Sequence, residues 1–263
     1  QPIEFVSPVF ISSQPSIIIF PNDAKRQEKK IHFSIQSNLG LQEKLTFKTM
    51  YDDRTRVVFD SVANYAKGSS RTIDVAINSD SLKSNSSIYA SAELSAASLF
   101  EKQYFSLNKI SYDHIPDLFY QYFDQVRIIK MNLQTKGKRI GYINGAGDRV
   151  PQALEAMGYD VQLLTESDLT DDNLAKYDAI ITGIRAYNIH EYLSNKNDVL
   201  MRYVERGGNM IVQYLKSNMV GQKKVKVGPY PFIVDASSRV TEEEAPVTFL
   251  LPDHSVLNYP NKI

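Results

Sequence analysis

Glycine is spread unequally along this chain, and that asymmetry constrains the fold more than any single motif does. Residues 1–130 hold two glycines, Gly40 and Gly68, and nineteen serines; residues 131–263 hold ten glycines and six serines. Glycine collects where a tight strand-to-helix turn or a helix C-cap needs positive φ. A stretch nearly devoid of it, rich in serine and alternating apolar residues, suits strands joined by hairpins. Two fold classes are therefore expected, an all-β half followed by an α/β half.

In the first half the segments Ser16–Phe20, Ile31–Gln36, Lys44–Met50, Arg56–Asp60, Arg71–Ile77, Ile88–Leu94 and Gln103–Ile110 predict strands. Ile31–Gln36 and Thr72–Ile77 alternate apolar and polar residues, the period of a half-buried strand. Seven short strands without a helical period predict an immunoglobulin-like β-sandwich over residues 1–113. The polar run Ser79–Ser87 reads as a solvated turn. Residues 114–136 read as a connector, because Pro116 marks a boundary. The aromatic stretch Leu118–Phe123 is expected to pack two domains together.

Residues 137–263 alternate strands and helices. Arg139–Ile143, Asp160–Leu164, Tyr177–Thr182 and Asn209–Tyr214 read as strands. Val150–Met157, Thr170–Lys176 and Asn197–Arg206 read as helices, the first with Pro151 in its first turn and Gly158 after its end. This order predicts a flavodoxin-like parallel sheet wound by right-handed crossovers. Ligands of such sheets lie beyond the C-terminal ends of the strands.

Composition closes off several classes of function. Thirty Lys and Arg balance thirty Asp and Glu, so no net field recruits nucleic acid or an anionic membrane. The longest aliphatic run, Ile17–Ile19 followed by Phe20, is too short to span a bilayer. Cysteine is absent. That excludes disulfides, iron–sulfur clusters, cysteine-bearing zinc sites and a cysteine nucleophile. The chain starts at Gln1 and stops at Ile263 without a polar tail, and is expected to be a piece of a longer product.

Candidate site residues follow from the strand-end rule. The turn Asn144-Gly145-Ala146-Gly147-Asp148 could bring backbone N–H groups to an anion. Its spacing is neither the dinucleotide fingerprint nor a P-loop, so a plain tight turn is the alternative. After the next strand, Arg185, Tyr187 and Asn188 supply a donor fork, a stacking face and an amide, a set suited to polar or carboxylated ligands. Alternatively, Arg185 pairs with a helix acid and Asn188 caps the following segment. Gln213 and Tyr214 end the fourth strand, where related folds carry a nucleophile; Ser217 has no base marked beside it. Tyr230 lies in the stiff loop Gly228–Phe232, and His254 follows Pro252-Asp253. The four histidines share no metal-binding spacing, so neither a metal ligand nor a catalytic residue is assigned.

The segments Gly141–Asp148 and Ile181–Asn188, with Tyr203–Gly208, Gly228–Phe232, Arg239–Val247 and Pro252–Ile263, carry a family likeness. They resemble the class I glutamine-amidotransferase-like domain at the C-terminus of long bacterial PIG-L (LmbE-like) deacetylases. The preceding β-rich segment is similar to the sandwich of that family. The resemblance implies a zinc deacetylase domain upstream in the same chain, acting on an N-acetylated sugar or similar amine. It implies a bacterial protein, exported or periplasmic. This sequence lacks the His-Pro-Asp-Asp-Glu metal motif of that domain, so the zinc belongs to a part not present here. It also departs from the amidotransferase pattern at the nucleophile.

The expected function is thus a non-catalytic accessory region that binds or positions a carbohydrate-like ligand. A second expectation is a hydrolase using Asp148, His190 or His254 with Arg185 in one pocket. A third is an assembly module presenting an apolar surface around Phe119–Phe123.

Overall fold

The computed structural model describes residues 9–22, 26–38, 41–51, 54–95, 106–122, 124–216, 226–230, 234 and 240–263. It divides into two compact units, Gln1–Asn132 and Leu133–Ile263.

The first unit is built from strands β1 (Val9–Gln14), β2 (Ile17–Pro21), β3 (Glu28–Ser37), β4 (Leu41–Tyr51), β5 (Arg54–Tyr65), β6 (Ser70–Asn78), β7 (Ser86–Ser95), β8 (Ser106–Tyr112), β9 (Ile115–Tyr122) and β10 (Val126–Met131). One sheet has the order β1-β3-β6, a second the order β2-β10-β7-β4-β5, and among the described residues β8 pairs only with β9. Alternation sets which residues face inward. In β3, Ile31, Phe33 and Ile35 are buried while His32 is exposed and meets Asp74 across the β6 pairing at 2.6 Å. Ile18, Phe20, Val126 and Ile128 of the second sheet join them in one apolar cluster, so both sheets share a core.

All seven predicted strands are present, Gln103–Phe105 lying outside the described residues. Three features differ from expectation. Residues 114–136 are not a connector, because they contain β9 and β10. Strand β10 is interior, pairing parallel with β2 and antiparallel with β7; it alternates Val126 and Ile128 inward with Arg127 outward. The aromatic stretch forms an edge hairpin with its side chains out, Leu118 at 53% and Phe119 at 40% exposure. Ser79–Ser87 is only partly a solvated turn. Ser79 and Leu82 are buried, and Ser79 accepts from Gln27 N through its hydroxyl and from Lys130 Nζ through its carbonyl, each at 3.0 Å.

The second unit contains β11 (Arg139–Ile143), α1 (Val150–Met157), β12 (Asp160–Leu163), α2 (Asp171–Leu174), β13 (Ala179–Thr182), α3 (Ala186–Ile189), α4 (Tyr192–Asn195), α5 (Asn197–Glu205), β14 (Asn209–Val212) and α6 (Ser255–Asn258). Its four strands are parallel in the order β12-β11-β13-β14. Helix α1 ends at Gly158, whose φ of 101° closes the helix as expected. Successive strand residues point to opposite faces. Ile140, Tyr142 and Ile181 pack with Val150 and Leu154 of α1, while Ile143 and Ile180 pack with Leu200 and Tyr203 of α5. Both faces of the sheet are therefore covered by helices. The connection after β11 runs to β12 on one side and that after β13 runs to β14 on the other, which opens a crevice at the C-terminal ends of β11 and β13. No helix among the described residues is long and apolar enough to cross a membrane.

Candidate functional site

The turns that follow β11 and β13 meet at this crevice. Gly183 N donates to Ile143 O at 2.8 Å, and Ala146 N donates to Ile184 O at 2.7 Å. Gly145 stands so close to the second turn that a Cβ on it would lie 2.0 Å from Ile184 O. Gly145 thus serves chain-to-chain contact, whereas a Cβ on Gly147 would meet open space.

Asp148 lies at the centre of a closed hydrogen-bond network. The Tyr142 hydroxyl donates to both carboxylate oxygens, at 2.6 and 2.7 Å. Val150 N donates to Oδ1 at 3.0 Å and Ile184 N to Oδ2 at 3.2 Å. Gln213 Nε2 donates to the Tyr142 oxygen at 2.8 Å. Burial pushes the Asp148 carboxyl up, yet the donors from Tyr142, Val150 and Ile184 outweigh it and hold its pKa below the usual carboxylate value. Burial, with the Asp148 carboxylate beside it, raises the Tyr142 phenol well above its ordinary range. The place that an anion would take at the start of α1 is filled by the protein's own carboxylate.

Arg185 contrasts with this network. It follows β13 by three residues and has φ 60° and ψ 18°, the left-handed region that a side chain with a Cβ enters at a cost. Its backbone is held there by Arg185 N donating to Tyr214 O at 2.6 Å. Its side chain is exposed. Among the described residues no hydrogen bond or ion pair engages the guanidinium, so the expected pairing with a helix acid is not found. Asp171 of α2 instead takes Arg202 at 2.8 Å and Arg206 at 3.1 Å.

The remaining candidates separate into those near the crevice and those elsewhere. Asn144 is exposed, and its carbonyl accepts from His190 Nε2 at 2.9 Å. Since a carbonyl can only accept, that nitrogen carries the proton. Gly147 adopts φ 111° in the same turn. Asn188 lies within α3, and its Oδ1 accepts from Lys216 N at 2.9 Å, which ties the two loops together. The Tyr214 ring is 64% exposed. Tyr230 is exposed as well, and no described contact joins it to the crevice. His254 caps its own short helix, Nδ1 accepting from Val256 N at 3.2 Å. Among the described residues no hydrogen bond joins Asp148 to His190, His254 or Arg185, and both Asp148 oxygens already accept from Tyr142, Val150 and Ile184.

Tyr187 does not offer a stacking face. Its ring is 6% exposed, inside the cluster with Leu193 and Leu200. Among the described residues its buried hydroxyl has no hydrogen-bond partner, and burial pushes it up to about 12. An unpaired buried hydroxyl costs about 1–3 kcal/mol, so Tyr187→Phe is expected to raise stability by about 1 kcal/mol in chemical denaturation. A loss of stability instead would show that the hydroxyl has a partner. Sequence reasoning passed over Tyr142, which looks like one more apolar strand residue. The available signal was a tyrosine next to the strand's end with an aspartate in the following turn.

A cavity of about 370 Å³ opens at the opposite, N-terminal edge of the sheet, between Asp171, Tyr177, Asp178, Arg206 and Asn209. Its acids are already engaged, Asp171 by the two arginines and Asp178 by Lys138 N and Arg139 N at 2.7 and 2.8 Å. Among the described residues no group of three His, Asp or Glu side chains could hold a metal ion.

No family model and no curated protein matches this chain. Solved structures similar to about half of it include the CARDB domain of the PF1109 protein from Pyrococcus furiosus, solved in complex with di-metal ions. It has 9% identity and a TM-score of 0.30, over 49% of this chain and 98% of that one. A β-glucosidase from Listeria innocua has 6% identity and a TM-score of 0.29, over 48% of this chain and 16% of the enzyme. The C-terminal domain of wzt has 8% identity and a TM-score of 0.26, over 49% of this chain and 72% of that one. Likeness at this level carries no argument about function.

Proposed function

We propose that this chain is a non-catalytic accessory region that binds or positions a carbohydrate-like ligand at the crevice of its α/β unit. In this reading the first unit is an immunoglobulin-like sandwich. The second is a flavodoxin-like, amidotransferase-like domain without a nucleophile. Both belong to a bacterial, exported or periplasmic protein whose upstream PIG-L-type domain holds zinc and removes the acetyl group. Two segments carry the family likeness most strongly, Gly141–Asp148 and Ile181–Asn188, and they are the two turns that meet at the crevice.

One observation carries the reading. Arg185 is an exposed guanidinium at the switch point, held in a strained backbone and unengaged among the described residues, while the carboxylate beside it is fully committed inward. Strain at such a position persists when the surrounding structure over-determines it. A planar donor fork facing solvent suits the hydroxyl, amide or carboxylate oxygens of a sugar derivative.

Two substitutions separate binding from strain. Arg185→Gln keeps the strain and removes the fork; calorimetric affinity for N-acetylated oligosaccharides is expected to fall about tenfold or more. Arg185→Gly relieves a left-handed cost of about 1–2 kcal/mol against an entropic loss of about 0.5–1 kcal/mol. It should bind as poorly as Arg185→Gln yet unfold at a higher temperature. Unchanged affinity in both variants would overturn the reading, as would release of ammonia from glutamine or of acetate from N-acetylated sugars by the purified chain.

A further inference from the structure

We infer that the crevice selects an acidic sugar bearing one carboxylate, with that carboxylate at Arg185 and Lys216 and the sugar ring on Tyr214. This rests on the crevice binding a carbohydrate-like ligand and adds which sugars it takes.

Two hydrogen bonds draw the turn after β14 alongside the turn after β13. Arg185 N donates to Tyr214 O at 2.6 Å, and Lys216 N donates to Asn188 Oδ1 at 2.9 Å. Tyr214 and Lys216 are exposed with buried Leu215 between them, so both side chains leave on the solvent side. Arg185 is exposed as well. A guanidinium, an ammonium and a phenol ring therefore share one rim of the crevice. Among the described residues no hydrogen bond or ion pair engages either cation.

The other charged groups at the strand ends divide by side. Asp148 and Arg149 follow β11, adjacent and opposite in sign. The Asp148 oxygens accept from Tyr142, Val150 and Ile184, and no described bond joins them to Arg185. Glu166 and Asp168 follow β12, and Glu191 follows α3. Asp168 already accepts from the Thr165 hydroxyl and N–H at 2.6 and 2.7 Å. Burial and then the Glu166 carboxylate raise the Tyr192 phenol. The Tyr192 ring lies 5.0 Å from that of His190, which is tied to the turn after β11. The strand order β12-β11-β13-β14 thus puts Glu166 and Asp168 at one end and Arg185 and Lys216 at the other, with Glu191 beside His190 and Tyr192.

This polarity sets the chemistry of the ligand. A guanidinium fork matches the two oxygens of a carboxylate, and an ammonium adds a point charge. Two cations near one tied carboxylate suit a single negative charge. A chain with an anion on every ring would bring a second one to Glu166 and Asp168, where like charges repel. Hydroxyl and acetamido N–H groups can instead donate to those acids. The Tyr214 ring, 64% exposed, offers an apolar face with its hydroxyl left in water. A uronic acid flanked by neutral N-acetylated sugars meets all three requirements.

The probe is a trisaccharide with glucuronate between two N-acetylglucosamines, compared with its methyl ester, which keeps the shape and removes the charge. Calorimetry on the intact chain is expected to show the acid binding about tenfold more tightly than the ester, the scale of charge-assisted hydrogen bonds. Added salt should shrink that preference. Arg185→Gln should erase it, Lys216→Gln should reduce it, and Tyr214→Ala should weaken acid and ester alike. Equal affinity for acid and ester would overturn the inference and leave the carbohydrate reading standing. A preference that survives both charge substitutions would overturn it too, because the charge would then be read elsewhere. If neither probe binds, the inference falls. A neutral N-acetylglucosamine trisaccharide then decides the carbohydrate reading, which stands if that sugar binds and falls if it does not.

Discussion

Gly145→Ala is expected to lower the unfolding temperature of the α/β unit by about 10 °C, from a loss of about 3 kcal/mol or more. The new methyl carbon would lie 2.0 Å from Ile184 O and 2.7 Å from Gly183 C. Both are backbone atoms, so no rotamer change relieves the clash. The backbone cannot easily retreat, because Ala146 N holds Ile184 O and Gly183 N holds Ile143 O. Separating the turns would break the bonds that seat Asp148 and leave buried groups unpaired. Thermal unfolding followed by circular dichroism reads the effect directly. A transition within about 2 °C of the parent, well under the shift for 1 kcal/mol, would mean that the two turns do not pack as described.

Asp148→Asn should cost about 2–3 kcal/mol at neutral pH, the scale of a lost charged hydrogen-bond acceptor with its donors left behind. The amide turns an N–H₂ toward the Val150 or Ile184 N–H that the carboxylate accepted from. The effect also depends on pH in a defined direction. The folded-state pKa of Asp148 is depressed, so its contribution is present above the ordinary carboxylate pKa of about 3.9 and is lost as pH falls through the folded value. Asp171, lowered by its hydrogen bond from Arg202, and Asp178, lowered by the N–H groups of Lys138 and Arg139, contribute with the same sign. The parent therefore loses stability in acid even without Asp148. The gap between parent and variant isolates this one group and should close as the pH falls. Denaturant titrations across the acidic range test it; a gap that stays constant with pH would refute the role given to the carboxylate.

Much of the fold was legible because its signals are local. The alternation Ile31, Phe33, Ile35 identifies β3, and the run Ala179–Thr182 ending in a glycine identifies β13, without knowledge of any partner. Gly158 marks the end of α1 for the same reason, since its φ is decided by its own missing Cβ. Strand β10 was not legible. Val126–Met131 carries a fair strand pattern, but its place inside a sheet depends on β2, more than a hundred residues earlier. The exposed proline and aromatics just before it resemble a boundary. Strand β1 escaped notice too, since Val9–Gln14 is short and pairs with β3 across a stretch of sequence that holds another strand.

The candidate site divides along the same line. By itself the sequence determined that two glycine-punctuated turns would sit at strand ends and that they would bear an acid, an arginine and amides. Those features follow from dihedral preference and side-chain chemistry within a few residues. Only the tertiary structure decided that Asp148 and Gln213 face inward as ties, that Tyr187 is core, and that Arg185 stands strained and outward. The reason is that a polar group becomes a ligand or a brace according to whether the fold satisfies it. One donor to Asp148 comes from 36 residues away, and the donor to Tyr142 from 71. No local pattern contains that distance.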